Sequence, residues 1–190
     1  MRRFFTDFAS LDSFTRSLFI HQSQTQCPHC LKHDQFVSHG LIYKQRSIIK
    51  REPVGKRLLC SNRYGRSGCG RTVQLHIAEC IPRIRYSASV ISTFTTLLLA
   101  RLTISQAYQQ ATGQFETRNA WRWIAKLMAH LSQYRCLLNT RTKADRTQIK
   151  SRSKSLHLLL PTLTQLKKQC SKASLNLCAA YQQQQQRCFM

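Results

Sequence analysis

Cys27-Pro28-His29-Cys30 is the first stretch of this chain whose residue types and spacing point to chemistry. Two thiols three residues apart across a proline-containing turn can aim at one point, half of a tetrahedral metal site. Cys60 and Cys69 supply the other half, in the segment Leu59-Cys60-Ser61-Asn62-Arg63-Tyr64-Gly65-Arg66-Ser67-Gly68-Cys69-Gly70-Arg71-Thr72. Gly68 and Gly70 flank the last thiol and suit a turn with unusual backbone angles. Four thiolates close a site, leaving no position for water, so the expected cofactor is structural Zn²⁺ on Cys27, Cys30, Cys60 and Cys69. Residues 61–68 separate the second pair, where a plain knuckle would have two residues; they read as a turn with a basic loop inserted.

Rival readings of these residues exist. His29, His33 and His39 are competing donors, and His76 with Cys80 forms an H-x3-C pair that could replace Cys60 or Cys69. A redox dithiol also has the form of Cys27–Cys30. It would sit at the start of a helix after a strand in a βαβ unit, whereas a polar stretch precedes it here. Cys170, Cys178 and Cys188 lack paired spacing and read as free thiols. Nine cysteines, an odd and uneven set, do not form a disulfide scaffold.

Such a site needs short strands to carry its turns. Gln35–Ser38, Leu41–Tyr43, Lys56–Leu59 and Thr72–His76 are strand-like, with Gly40 and Pro53-Val54-Gly55 as punctuation. Together, residues 27–80 read as a zinc ribbon. Its bases are Lys44, Arg46, Lys50, Arg51, Lys56, Arg57, Arg63, Arg66 and Arg71, interleaved with Tyr43 and Tyr64. Of these, Arg57, Arg63, Arg66 and Arg71 are the expected DNA contacts. Upstream, Phe4, Phe8, Leu11 and Leu18, with Phe5, Phe14 and Phe19 beside them, predict an amphipathic helix within residues 1–26. Covering the ribbon's core is its expected role, with partner binding as the alternative; His21–Gln26 reads as a linker.

After Pro82 the apolar period changes to that of a helix. Ser87 caps a first helix bearing Val90, Ile91, Phe94, Leu97 and Leu98. Thr103 or Ser105 caps a short second one that Gly113 ends, and a third runs from about Glu116 to Leu138. Its apolar face is Ile124, Leu127, Leu131, Tyr134 and Leu138; Trp123 suits the core better than Trp121. Arg118, Arg122 and Lys126 share its opposite face at four-residue steps. Residues 81–139 thus have the pattern of a helix-turn-helix, with Thr117, Arg118, Asn119, Arg122 and Lys126 on the helix that would enter the major groove. In residues 140–190, Arg141–Lys154 reads as a linker or phosphate-following arm. Pro161 is expected at the first turn of a C-terminal helix, whose leucines dock it or mediate self-association. Gln182–Gln186 is a short low-complexity run.

These elements define an α+β, mostly helical chain: a small zinc-ribbon sheet, a helix-turn-helix bundle and a C-terminal helix. Its 190 residues carry 30 Lys+Arg against 7 Asp+Glu, a net charge of +23. The excess falls in 27–80, 81–139 and 140–190 alike, so the folded modules themselves are expected to face a polyanion. A two-metal phosphoryl-transfer site needs about three or more clustered carboxylates, and no such set is evident. No catalytic residue or small-molecule substrate is therefore expected, and no membrane partner either, since the longest apolar run, Leu97-Leu98-Leu99-Ala100, is far too short to span a bilayer. Asp7, Asp12 and Arg16 interrupt any apolar signal sequence, and the expected location is cytoplasmic and nucleoid-associated.

The C-P-x-C knuckle, the Leu59-Cys60 and Cys69-Gly70-Arg71-Thr72 turn and the helical segment with Trp121-Arg122-Trp123 resemble the zinc-ribbon/helix-turn-helix proteins of bacterial insertion sequences. The likeness covers roughly residues 27–126. It implies the zinc ligands named above, and a third helix that recognises terminal repeats. Two departures stand out: the long insert in the second knuckle, and a helix-two turn, Ala111-Thr112-Gly113, with one residue more than the common pattern. Double-stranded DNA is the expected partner, with a transposase or a second copy of the chain besides. The expected role is an accessory factor, a repressor or a transposase lacking its catalytic carboxylates. A tyrosine-dependent transposase or recombinase using Tyr86, Tyr108, Tyr134 or Tyr181, and an RNA-binding ribbon, are the alternatives.

Overall fold

A computed structural model of the chain describes residues 2–20, 25–45, 51–138, 152–170 and 175–190. The chain is α+β and mostly helical, with the sheet built first and the helices after it. It forms two compact units, Met1–Arg85 with Gln182–Arg187, and Tyr86–Tyr181 with Cys188–Met190.

The first unit is a four-stranded sheet under one helix. Its strands are β1 (Arg2–Phe5), β2 (Phe36–Gln45), β3 (Arg51–Cys60) and β4 (Thr72–Ile77), in the order β1-β4-β3-β2. β1 runs parallel to β4; the other neighbours are antiparallel. Helix α1 (Phe8–Ile20) lays Phe8, Leu11, Phe14 and Leu18 on a core that contains Phe36, Leu58, Val73 and Leu75. The expected N-terminal helix therefore covers the sheet, but it starts later than its phenylalanines suggest. Phe4 belongs to β1, opposite His76. The helix begins only after Asp7, whose carboxylate accepts the Ser10 amide at 2.7 Å, the bond of an N-cap.

Pro53 and Gly55 do not punctuate two strands; both lie inside β3. Pro53 is tolerated because β4 pairs with β3 only from Gly55 to Leu59, so at residue 53 the strand has β2 alone as neighbour. A register shift between Ile42 and Tyr43 falls opposite it, and a bulge or sheet edge is where a residue without an N–H fits. Lys56, expected on the basic surface, is instead a structural residue. It pairs with Asp12, donates to the Thr15 hydroxyl at 2.9 Å and lies over the Phe8 ring.

The glutamine run is built into this unit. Gln182 is buried and donates to the carbonyls of Ala78 and Cys80 at 2.7 and 3.1 Å. The Gln186 amide accepts from the Phe4 N–H at 2.8 Å and donates to the Phe4 carbonyl at 2.9 Å. A side-chain amide carries the same donor and acceptor as a peptide, so Gln186 pairs the backbone of β1 much as a strand would.

The second unit is helical: α2 (Ala88–Leu99), α3 (Ile104–Thr112), α4 (Arg118–Ala129), α5 (Leu131–Leu137) and α6 (Arg152–Cys170), with the start of α7 (Leu177–Gln185). Ser87 caps α2, Thr103 forms a capping box with Gln106, and Gly113 ends α3 with φ +70°. Phe94, Tyr108 and Trp123 meet edge-to-face at centroid distances of 5.1–6.5 Å, with Tyr86 against Trp123. The expected long third helix is two helices. His130 breaks it, its N–H shared between the Lys126 and Leu127 carbonyls. Nor does Pro161 open a helix; it sits inside α6. Leucines on both sides of it hold that helix to α2, α4 and α5, with Leu159, Leu163 and Leu166 buried. Arg152–Lys154, expected in a linker, belong to α6. The rest of that expected linker, and most of His21–Gln26, lie outside the described residues.

Lys56 beside Asp12 holds the Asp12 carboxyl below its usual range. Its contribution to folding is therefore present above the unfolded value of 3.8 and is lost as pH falls through the lower folded value. Asp12→Asn is expected to lower the thermal midpoint at neutral pH. Its difference from the unaltered protein should shrink as acid protonates Asp12. A midpoint difference that persists undiminished at low pH would contradict the pairing.

Candidate functional site

The four cysteine sulfurs of the two turns lie within 4.8 Å of one another. Sγ of Cys27 is 3.8 Å from that of Cys69, and Sγ of Cys30 is 3.6 Å from that of Cys60. A tetrahedral ion with bonds of about 2.3 Å to sulfur places its ligands about 3.8 Å apart. The donor set and its spacing therefore fit one thiophilic cation, held by two ligands from each turn. His29, His33, His39, His76 and Cys80 stand outside this group, and among the described residues it is the one cluster of three or more His, Cys, Asp or Glu side chains that meets this geometry.

The two turns are built alike. In the first, Leu31 N–H donates to the Cys27 carbonyl at 2.8 Å and Cys27 N–H to Lys32 O at 2.9 Å. In the second, Gly70 N–H donates to the Cys60 carbonyl at 2.8 Å and Cys60 N–H to Arg71 O at 2.9 Å. Leu31 and Gly70, each following the second thiol, are left-handed with φ of +59° and +71°. Each turn also aims a backbone N–H at sulfur, His29 at Cys27 (3.5 Å) and Cys69 at Cys60 (3.3 Å). Such donors favour thiolate over thiol.

The eight-residue gap in the second turn is bridged by one contact. Gly68 N–H donates to the Ser61 carbonyl at 2.8 Å. A Cβ on Gly68 would stand 2.3 Å from that oxygen and 2.7 Å from Cys60 Sγ, so only glycine fits. Residues 62–67 are thus an excursion from a turn that, without them, would read Cys60-Ser61-Gly68-Cys69.

Cys27 and Cys60 are fully buried and belong to the sheet's core, whereas Cys30 is half-buried and Cys69 exposed. Backbone donation from Lys32 draws the Cys30 thiol down to about 7, while burial pushes Cys60 up to about 12. Four thiolates gathered this closely repel one another, and a bound dication compensates their charge. Cys170, away from the cluster, has its pKa raised by burial, the condition of an inert structural thiol.

The remaining expected residues fall on two exposed surfaces. On the first unit, Arg57, Arg63 and Arg71 are exposed, and Arg66 is half-buried, donating to the Asp34 carbonyl. Arg46 and Lys50 lie outside the described residues. On the second, α4 buries Ala120, Trp123, Ile124 and Leu127. Its other face presents Arg118, Arg122 and Lys126, with Asn119 half-buried and Trp121 exposed. Thr117 precedes the helix without a side-chain capping bond. Glu116 lies 3.9 Å from Arg118, and Asn119 accepts from Arg122 at 3.5 Å. Tyr108, Tyr134 and Tyr181 are fully buried, out of reach of an incoming phosphodiester; Tyr86 is half-buried.

Comparison with protein-family models, curated proteins and solved structures gave no match. The likeness to insertion-sequence proteins therefore rests on the residues themselves. No helix among the described residues is long and apolar enough to cross a membrane.

The purified protein is expected to carry one thiophilic ion per chain. Cys27→Ser should abolish it and lower the thermal midpoint of the first unit, as should a strong chelator. Because each thiol must give up its proton to bind, affinity in chelator competition should fall as pH is lowered. A chain whose midpoint ignores chelation has no such centre.

Proposed function

We propose that the chain is a zinc-stabilised, double-stranded-DNA-binding protein associated with a transposable element, acting as an accessory or regulatory factor or as a transposase lacking its catalytic carboxylates. Zinc is the ion that suits four thiolates in a closed tetrahedron, where it contributes folding energy and no reaction chemistry. The observation that carries the DNA reading is the α4 stripe. Arg118, Arg122 and Lys126 occupy the exposed face of a helix whose opposite face is buried. They spread three cations over about 12 Å of helix. A short capped helix and a five-residue connection precede α4, in the order of a helix-turn-helix whose last helix reads the groove.

In this reading Arg118 or Arg122 pairs with guanine or phosphate, Asn119 with adenine, and Lys126 with phosphate. Thr117 contacts the backbone at the helix start. Arg57, Arg63, Arg66 and Arg71 of the first unit add phosphate contacts that carry no sequence information.

The test is binding to duplexes taken from the ends of the neighbouring element, against scrambled duplexes of equal length, over a range of salt. Arg118→Ala should cost about 1–3 kcal/mol on the preferred sequence and relax the base preference. Lys126→Ala should weaken all duplexes alike and lower the salt slope by about 1. Unchanged affinity in both variants would remove α4 from the interface. An equal preference for scrambled ends would remove the link to the element.

A further inference from the structure

Residues 62–67 are not needed to hold the ion. Their ends, Ser61 and Gly68, already meet at 2.8 Å, and the turn is closed beneath them. Yet the excursion is firmly seated. Ser61 N–H donates to the Gln35 carbonyl and Ser67 N–H to the Gln35 side-chain oxygen, both at 2.7 Å. Lys32 Nζ donates to the Ser67 carbonyl at 2.7 Å, and the Arg66 guanidinium donates to the Asp34 carbonyl.

The tip is a tight turn in which Arg66 N–H donates to the Arg63 carbonyl at 3.2 Å. Its two central residues, Tyr64 and Gly65, are both left-handed, with φ of +54° and +77°. This is the backbone pattern of a type I′ turn, whose first central position favours Asn, Asp or Gly. A tyrosine there sits in a region that strains an ordinary side chain. Its ring is also 99% exposed, so it packs against nothing in its own fold. Neither local backbone preference nor core packing accounts for Tyr64; a binding partner would.

The surroundings define that partner. Arg63 and Arg71 are exposed on the same segment, Lys32 and Arg66 stand at its base, and the sequence has no Asp or Glu from residue 53 to residue 78. An outward-facing aromatic ring on a closed turn, carried by a segment that is basic and free of acids, matches a ligand offering both negative charge and π-faces, which is a nucleic acid. In intact duplex the base faces are covered by their neighbours. An unpaired or extruded base exposes one.

We propose that Asn62–Ser67 is a finger whose Tyr64 stacks on an unpaired base, so that the protein favours DNA with an extruded nucleotide over perfect duplex. This rests on the DNA-binding reading above and adds to it the kind of DNA preferred. A metal held by the four sulfurs would clip the finger at its two ends, through Cys60 and Cys69.

The test uses the full-length, metal-loaded protein with three labelled probes: a perfect duplex, the same duplex with one extra adenine, and an RNA copy of the latter. The protein should bind the bulged DNA at least about fivefold more tightly than the perfect duplex. A fluorescent adenine analogue at the bulge should be quenched on binding. Tyr64→Phe should keep the preference and the quench. Tyr64→Ala and Tyr64→Leu should lose both while retaining the ion and the affinity for perfect duplex. Deletion of residues 62–67 should retain the ion and lose the preference, which separates the finger from the fold. Duplex binding with no preference for the bulge, or a preference that survives Tyr64→Ala, overturns the finger alone. Tighter binding of the bulged RNA overturns its assignment to DNA. No binding to any DNA probe overturns the DNA-binding reading along with it.

Discussion

Four sulfurs within 4.8 Å of one another set the geometry of the first unit, because two of them are also core residues. Cys60 ends β3 and pairs with Phe36 at the start of β2, while Cys27 packs beside Leu11, Phe36 and Leu58. A small sheet with one covering helix has limited apolar area to bury, and such units commonly depend on a cross-link or a metal. Here the thiol cluster ties the segment before β2 to the connection between β3 and β4. The backbone accommodates it with two like-built turns, each ending on a left-handed residue. Gly70 meets that demand without strain; Leu31, 64% exposed, meets it with a side chain turned to solvent.

Much of this could be read from residue type and spacing, and the failures have physical causes. The knuckle at 27–30 and the glycines around Cys69 picked out the four cysteines whose sulfurs gather, and the reading of 61–68 as an inserted loop corresponds to the Ser61–Gly68 bridge. Helix caps at Ser87 and Thr103 and the stop at Gly113 were legible because each is a local bond. What failed was long-range. That Pro53 can sit inside β3 follows from where β4 stops pairing, which no local rule contains. Pro161 is carried inside α6 by leucines docked on three other helices. Phe4 fits a helical pattern equally well, and only its pairing with β4 assigns it to a strand. The glutamine run looked featureless, since nothing in Gln182–Gln186 announces that two of its amides meet backbone groups about a hundred or more residues away.

The same contrast separates the two kinds of basic residue. Sequence alone groups Lys56 with Arg57, Arg63, Arg66 and Arg71. In the structure Lys56 is held by Asp12 and Thr15 against the Phe8 ring, joining α1 to β3. Arg66 is intermediate, with one hydrogen bond to its own fold through Asp34. Net charge therefore overstates the contact surface, because Lys56 and in part Arg66 are engaged by their own fold.

Two of the seven carboxylates serve helix α1. Asp7 caps α1, and the Ser10 backbone amide holds its carboxyl below the usual range. Asp12 meets both Lys56 and Arg16. One acid thus caps α1 and a second fastens that helix to the sheet through Lys56, and Glu116 stands just before α4 beside Arg118. Arg63, Arg71, Arg122 and Lys126 are left exposed to solvent, where like charges repel and low salt makes the repulsion worse. A polyanion relieves that repulsion and releases its own counterions on binding. In the proposed DNA-binding reading, this charge distribution favours association most where the isolated protein is electrostatically least comfortable, at low ionic strength, and ties affinity to salt more steeply than any single contact would.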